Sequence, residues 1–242
     1  MDITSDTHSQ HISRQFNQEL EELKTHLMTM GGLVENQIQE AVKALLEGDS
    51  RLAEKVRDND RQVNDMQLRI DDECTRVLAR RQPAASDLRL VLAVIRATAD
   101  LERIGDEASK IARNALSLIE SGTAVRGLVE VRHISEHVRK MLRDALTAFA
   151  RFDTELALQV VREDEAVDDE YGSAMRSLMT FMMEDNRAIG PVLSVMWILR
   201  ALERVGDHAD NLAEYVVYLV KGLDIRHIDL DELDEAALKG RD

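Results

Sequence analysis

The sequence predicts an all-α protein of two tandem pseudo-repeated three-helix bundles, six long antiparallel helices in total, and three observations carry that prediction. The first is an internal repeat. VLAVIRATADLERIGD at 91 to 106 and VLSVMWILRALERVGD at 192 to 207 agree at eight of sixteen positions with a single offset (203 − 102 = 207 − 106 = 101), which marks a duplicated structural unit. The second is composition. Only 11 Gly and 2 Pro occur in 242 residues, aromatics make up 3% and hydrophobic residues 44%, so the chain favours helix around an aliphatic core. The third is punctuation: Pro83 and Pro191, the two prolines, both stand at the entry of the third helix of their half, where a missing amide costs little.

Taken in order, residues 1–14 are polar and are expected to be a mobile N-terminus, ahead of a helix over about 16–47 that Gly48-Asp49 breaks. A second helix is expected over about 50–80, and a third begins beyond Pro83 and ends at Ser121-Gly122. The pattern then recurs, with helices at about 128–150, 153–184 and 190–221, the last closed by Gly222. This gives a first repeat over 15–122, a second over 123–222, and an acidic tail over 223–242 with at most a short helix. Each third helix has a clean apolar stripe: Val94, Ala97, Leu101, Ile104, Ala108, Ile111, Ala115 and Leu118 in one, Val195, Ile198, Leu202, Val205, Ala209, Leu212, Val216 and Leu219 in the other. Spacings of three and four place each set on one core-facing side.

Charge and length exclude several function classes. A net charge of −15 reverses the counterion-release term that drives nucleic-acid binding, so no nucleic acid is expected as partner. No stretch approaches the roughly 20 apolar residues of a membrane span, and the start is too polar for a signal peptide, so a cytoplasmic protein without direct membrane insertion is expected. A single cysteine, Cys74, allows no internal disulfide and agrees with a reducing compartment.

What the repeat preserves is a carboxylate pair, Glu102 with Asp106 and Glu203 with Asp207. Positions i and i+4 share a helix face, so each pair is a like-charge contact costing roughly 0.2–0.5 kcal/mol in an isolated helix. A bound cation reverses that sign. Gly105 and Gly206 add roughly 1 kcal/mol of mid-helix cost, tolerable where a neighbour or ligand must come close. The preceding helices carry Asp60 and Asn64, then Asp164 and Asp168, aligned by 164 − 60 = 168 − 64 = 104. Antiparallel packing would bring acids from two helices together, and oxygen-rich clusters suit hard cations such as Mg²⁺, Mn²⁺ or Ca²⁺, or non-haem iron. The competing reading is a solvated acidic face. Arg103 and Arg204 also repeat and read as salt-bridge partners of nearby acids in preference to phosphate contacts; His208 follows only the second motif and is a weaker ligand candidate.

Other motifs count for less. Asp58-Asn59-Asp60 opens like a calcium-binding loop but lacks the sixth-position glycine. His133 and His137 stand at i and i+4, a spacing that by itself reads as surface. No phosphate-binding glycine loop, dinucleotide fingerprint or serine elbow is present.

Arg81-Gln82-Pro83-Ala84-Ala85-Ser86-Asp87-Leu88-Arg89, Asp100-Leu101-Glu102-Arg103-Ile104-Gly105-Asp106, and Leu202-Glu203-Arg204-Val205-Gly206-Asp207-His208-Ala209-Asp210-Asn211-Leu212-Ala213-Glu214 resemble the PhoU family of phosphate-transport accessory proteins, over roughly residues 16–222. The resemblance implies two similar bundles, assembly as a homodimer, and an E-or-D-x-x-x-D metal motif in each bundle, here Glu102 with Asp106 and Glu203 with Asp207. Mg, Mn, Fe or Zn would be the ion. It further implies a negative regulator of the phosphate-starvation response that contacts the ATPase of the phosphate ABC transporter and a sensor histidine kinase, peripheral to the inner membrane through those partners. One departure stands out, since Asn64 replaces an acid in the first repeat. Two other readings compete with the non-enzymatic adaptor: a metal-dependent enzyme using the carboxylate clusters, disfavoured because no general base exists apart from the ligands, and a metal-free structural adaptor.

Overall fold

A computed structural model of the chain describes residues 3–122 and 126–225, with side chains from 14 onward. The first repeat comprises α1 (Ile3–Glu47), α2 (Ser50–Asp58), α3 (Asp60–Arg81) and α4 (Ala85–Ser121). The second comprises α5 (Leu128–Arg151), α6 (Thr154–Glu184) and, after a 3-10 turn at Asn186–Ala188, α7 (Ile189–Lys221). The expected acidic tail lies, from residue 226 onward, outside the described residues.

Two features depart from the sequence expectation. Helix α1 begins at Ile3, well before the expected start near 16. The expected helix over 50–80 is interrupted at Asn59, where Asp58-Asn59-Asp60 sits. Aspartate and asparagine compete with the helical backbone for hydrogen bonds, and the buried Gln37 side chain of α1 donates to the Asn59 carbonyl at 3.3 Å, which supplies a partner at the break. The equivalent stretch of α6 runs straight through.

Equivalent turns open the second helical segment of each repeat. Asp49 accepts from the amide of Leu52, and Asp153 accepts from Glu155 and Leu156, which satisfies amides that a helix start leaves orphaned. The residue before each cap adopts a left-handed backbone: Gly48 at φ 70° and Phe152 at φ 56°.

Helices α4 and α7 form the centre and pack antiparallel: Asp100 meets Tyr215, Glu107 meets Arg204, and Arg89 donates to the Leu219 carbonyl. All sixteen residues of the two apolar stripes are buried. At roughly 1.5–3 kcal/mol for each large aliphatic side chain, this burial, more than helix propensity, sets which faces turn inward. Nearly all the buried apolar residues of both repeats belong to one continuous cluster. Helix α1 also reaches the second repeat, with Arg139 donating to Gln39 at 2.6 Å and Arg143 paired with Glu35 at 3.1 Å. No described helix is long and apolar enough to cross a membrane.

Candidate functional site

The second repeat gathers its acids at the contact of α6 with α7. One ligand oxygen from each of Asp168, Glu203 and Asp207 lies within 4.8 Å of the others, the one such group of three among the described residues. Asp164, one turn back on α6, and Asp210, one turn on along α7, extend the cluster. Burial, reinforced by Asp207 and Asp168, raises Asp164 to about 6. Burial and then Asp207 raise Glu203 to about 7, against the pull of Arg200. Burial, with Glu214, Asp164 and Asp207 adding to it, raises Asp210 to about 8. Asp207 is raised by burial and by Asp168.

Five carboxylates thus share one small region with little cationic relief. Arg200 hydrogen-bonds Glu203 Oε1, but Glu203 Oε2 and Asp210 Oδ1 are buried without a hydrogen-bond partner. A buried polar atom without a partner costs roughly 1–3 kcal/mol, more when charged. Hard divalent cations take such oxygen ligands, so the donor set fits a metal ion. Gly206 keeps the approach open: a Cβ there would stand 3.4 Å from Asp164 Oδ1.

The first repeat carries a reduced version. Glu102 is raised by burial first, then by Asp106 and Asp60, and is opposed by Arg103 and His208. Asp60 accepts a hydrogen bond from the buried Ser109 hydroxyl at 3.2 Å. Ser109 occupies the register position of Asp210 (210 − 109 = 101), and Asn64 that of Asp168. Two acids of the second cluster are therefore neutral groups in the first, which keeps Asp60, Glu102 and Asp106. At Gly105 a Cβ would stand 3.2 Å from Val63 of α3, so the glycine admits close helix packing.

Between the clusters runs a polar seam that sequence reading missed. Asp100 of α4, 2% exposed, accepts from Tyr215 Oη at 2.7 Å and Asn211 Nδ2 at 3.2 Å, and lies 2.8 Å from His208 Nδ1. His208 thus turns toward α4, and its charge opposes the rise that burial imposes on both Glu102 and Asp207. Arg204 reaches across to Glu107 at 3.0 Å, and Arg103 stays near Asp100 of its own helix at 3.8 Å. Both arginines therefore sit beside acids. Repeat comparison could not find Asp100, whose counterpart is Ala201, but Asp210 was legible: 203, 207, 210 and 214 follow one α7 face.

Comparison with known proteins agrees with this architecture. The PhoU domain pattern matches twice, over residues 27–115 and 131–216. The chain is 56% identical over 239 residues to the phosphate-specific transport system accessory protein PhoU homolog of Pseudomonas aeruginosa, covering 99% of each chain. It is 47% identical to the phosphate-specific transport system accessory protein PhoU of Escherichia coli, covering 97% of this chain and 96% of that one. Among solved structures, PhoU from Pseudomonas aeruginosa superposes with a TM-score of 0.84 at 59% identity, covering 86% of this chain and all of the other. The phosphate transport system regulatory protein PhoU from Streptococcus pneumoniae gives 0.80 at 30% identity, covering 86% and 98%. These relatives are named as accessory or regulatory proteins, not as enzymes. With both repeats matched and nearly the whole length aligned, the chain belongs to the PhoU family.

Proposed function

We propose that the chain is a cytosolic, homodimeric adaptor that represses phosphate-starvation signalling while phosphate is plentiful, by contacting the phosphate transporter ATPase and the sensor histidine kinase, and that its two carboxylate clusters hold metal ions. The names of its relatives support the accessory role in phosphate transport. The observation that carries the metal reading is the second cluster, with five carboxylates, three of them within 4.8 Å, and two buried oxygens lacking partners. Asp164, Asp168, Glu203, Asp207 and Asp210 would hold one ion set, and Asp60, Glu102 and Asp106 a weaker one. A bound cation supplies the charge that turns mutual repulsion into a rigid link between neighbouring helices.

Such an adaptor acts by binding one conformation of each partner better than the other, since only differential affinity shifts an equilibrium. The test has two parts. Deleting the gene should switch on a phosphate-starvation reporter in phosphate-rich medium; a reporter that stays silent overturns the regulatory reading. Elemental analysis of protein purified without chelator should show metal in the wild type and its loss in an Asp106→Ala, Asp207→Ala variant. Equal metal content in the two would favour the metal-free adaptor.

A further inference from the structure

Helix α4 carries a cation at every seventh position, Arg89, Arg96, Arg103 and Lys110, and residues seven apart share one helix face. That face follows the seam with α7. Arg89 donates to the Leu219 carbonyl, and Arg96 lies over the Tyr215 and Tyr218 rings. Arg103 sits by Asp100, and Lys110 shares Glu107 with Arg204. At the far end, Arg200 and Trp197 of α7 join Lys110 and Arg204 in one groove. We propose that this basic seam is a docking site for the chain's own acidic segment 228–238, laid along it toward Trp197.

Three observations carry it. The first is charge. Arg103, Lys110, Arg200 and Arg204 have side chains 45% to 60% exposed, while the acids they pair with, Asp100, Glu107 and Glu203, are buried at 2%, 2% and 7%. In a chain of net charge −15, the seam is therefore a stripe of opposite sign turned to solvent. The segment IDLDELDEAAL at 228–238 has five acids and no base, which complements it.

The second is position. Arg89 holds the last turn of α7, and a Cβ on Gly222 would stand 3.8 Å from its Nη1. Ile225, 4% exposed, belongs to the core, so the chain leaves the bundle within a few residues of the first cation of the stripe. The third is length. Arg89 to Lys110 spans about 32 Å at 1.5 Å per residue, and an extended segment covers that in about ten residues at roughly 3.3 Å each. Counted from Ile225, Asp229 to Glu235 would lie alongside the cations and Leu238 would reach Trp197. Tethering supplies an effective concentration of about millimolar, so individually weak ion pairs suffice. A docked segment covers the Trp197 groove, and any acidic partner segment using the seam must displace it.

Trp197 is the one tryptophan of the chain, and Cys74 is buried with its thiol pushed up to about 12. A nitroxide placed on Ala237→Cys in the full-length protein therefore reports approach to the groove by quenching Trp197 fluorescence. Because tethering favours the docked state, the labelled protein should lose about half or more of its emission relative to the unlabelled variant. Salt at about 1 M, where the Debye length is roughly 3 Å, should restore it. Arg103→Gln with Arg200→Gln and Arg204→Gln should weaken docking about tenfold, since one exposed ion pair is worth up to roughly fivefold, and should recover emission likewise. Labelled Trp197→Phe, Ala237→Cys protein mixed with unlabelled wild type should leave the wild-type emission unchanged. Quenching in that mixture shows a segment reaching another copy and overturns docking on its own chain. Equal emission with and without the label, or quenching that survives both salt and the arginine changes, overturns the seam as the site.

Discussion

His208 on α7 holds its Nδ1 2.8 Å from Asp100 Oδ1 on α4, with side chains only 7% and 3% exposed, so the contact between the repeats is polar at its centre. Asn211 and Tyr215 converge on the same carboxylate. Burial first, then the bond to Asp100, pushes the Tyr215 hydroxyl well above the usual phenol range, so it remains a proton donor.

Asp100→Ala should therefore be among the most damaging single changes in the seam. It leaves the buried His208 and Tyr215 and the half-buried Asn211 without their shared acceptor, and breaking a buried polar pair from one side costs about 3–5 kcal/mol. Urea unfolding measures it. A loss under about 1 kcal/mol would show that the network contributes little to stability.

Metal-free protein should lose stability as pH rises. Asp164, Glu203 and Asp210 are raised to about 6, 7 and 8 from ordinary values of 3.8 to 4.5. The folded state therefore keeps protons that the unfolded chain has released. Linkage then lowers stability across the interval from about 4 to about 8, and bound metal should flatten that slope. Melting temperatures of chelator-treated protein across this interval check the sign, and a rising profile would contradict it.

Asp210→Ser copies into the second repeat the hydroxyl that the first repeat has at Ser109. Without metal the variant should be more stable than wild type, by about 1–2 kcal/mol, because a buried unpartnered carboxylate oxygen is removed. With Mn²⁺ present the wild type should gain more stability by mass action, so the ranking narrows or reverses. Paired melts with and without Mn²⁺ decide it.

Trp197 is 60% exposed and flanks a groove of about 480 Å³ lined by Glu107, Lys110, Asn114, Arg200 and Arg204. Leu193 and Ile189 continue its stripe along α7. Trp197→Ala should change stability by less than about 0.5 kcal/mol, as exposed positions do. It should nevertheless reduce capture of the transporter ATPase or the kinase in a pull-down if the groove meets either partner; unchanged capture of both would place partner contact elsewhere.

The duplicated stripes made the helices and their buried faces legible in sequence, because periodicity reports burial directly. Glu102, Asp106, Glu203 and Asp207 were legible for the same reason, since one offset repeats them. The break at Asn59 was less so: Asp58-Asn59-Asp60 lies within a helical pattern, and its carbonyl, which accepts locally from the Gln62 amide, is also met by Gln37 of another helix, a tertiary contact that local spacing does not encode. Asp100 has a repeat counterpart, Ala201, without charge, so comparison of the halves was silent there. His133 and His137 both pair with Glu170, more than 30 residues away in sequence, a contact their own spacing does not encode.

One continuous interior serves both halves of the molecule, and α1 is tied to α5 as well as to α4. Neither copy of the ancestral unit can therefore drift independently: a side chain that grows on α4 must be accommodated by α7. Separating the copies into two polypeptides would expose the faces that each now hides against the other, so the halves would survive only by finding one another again.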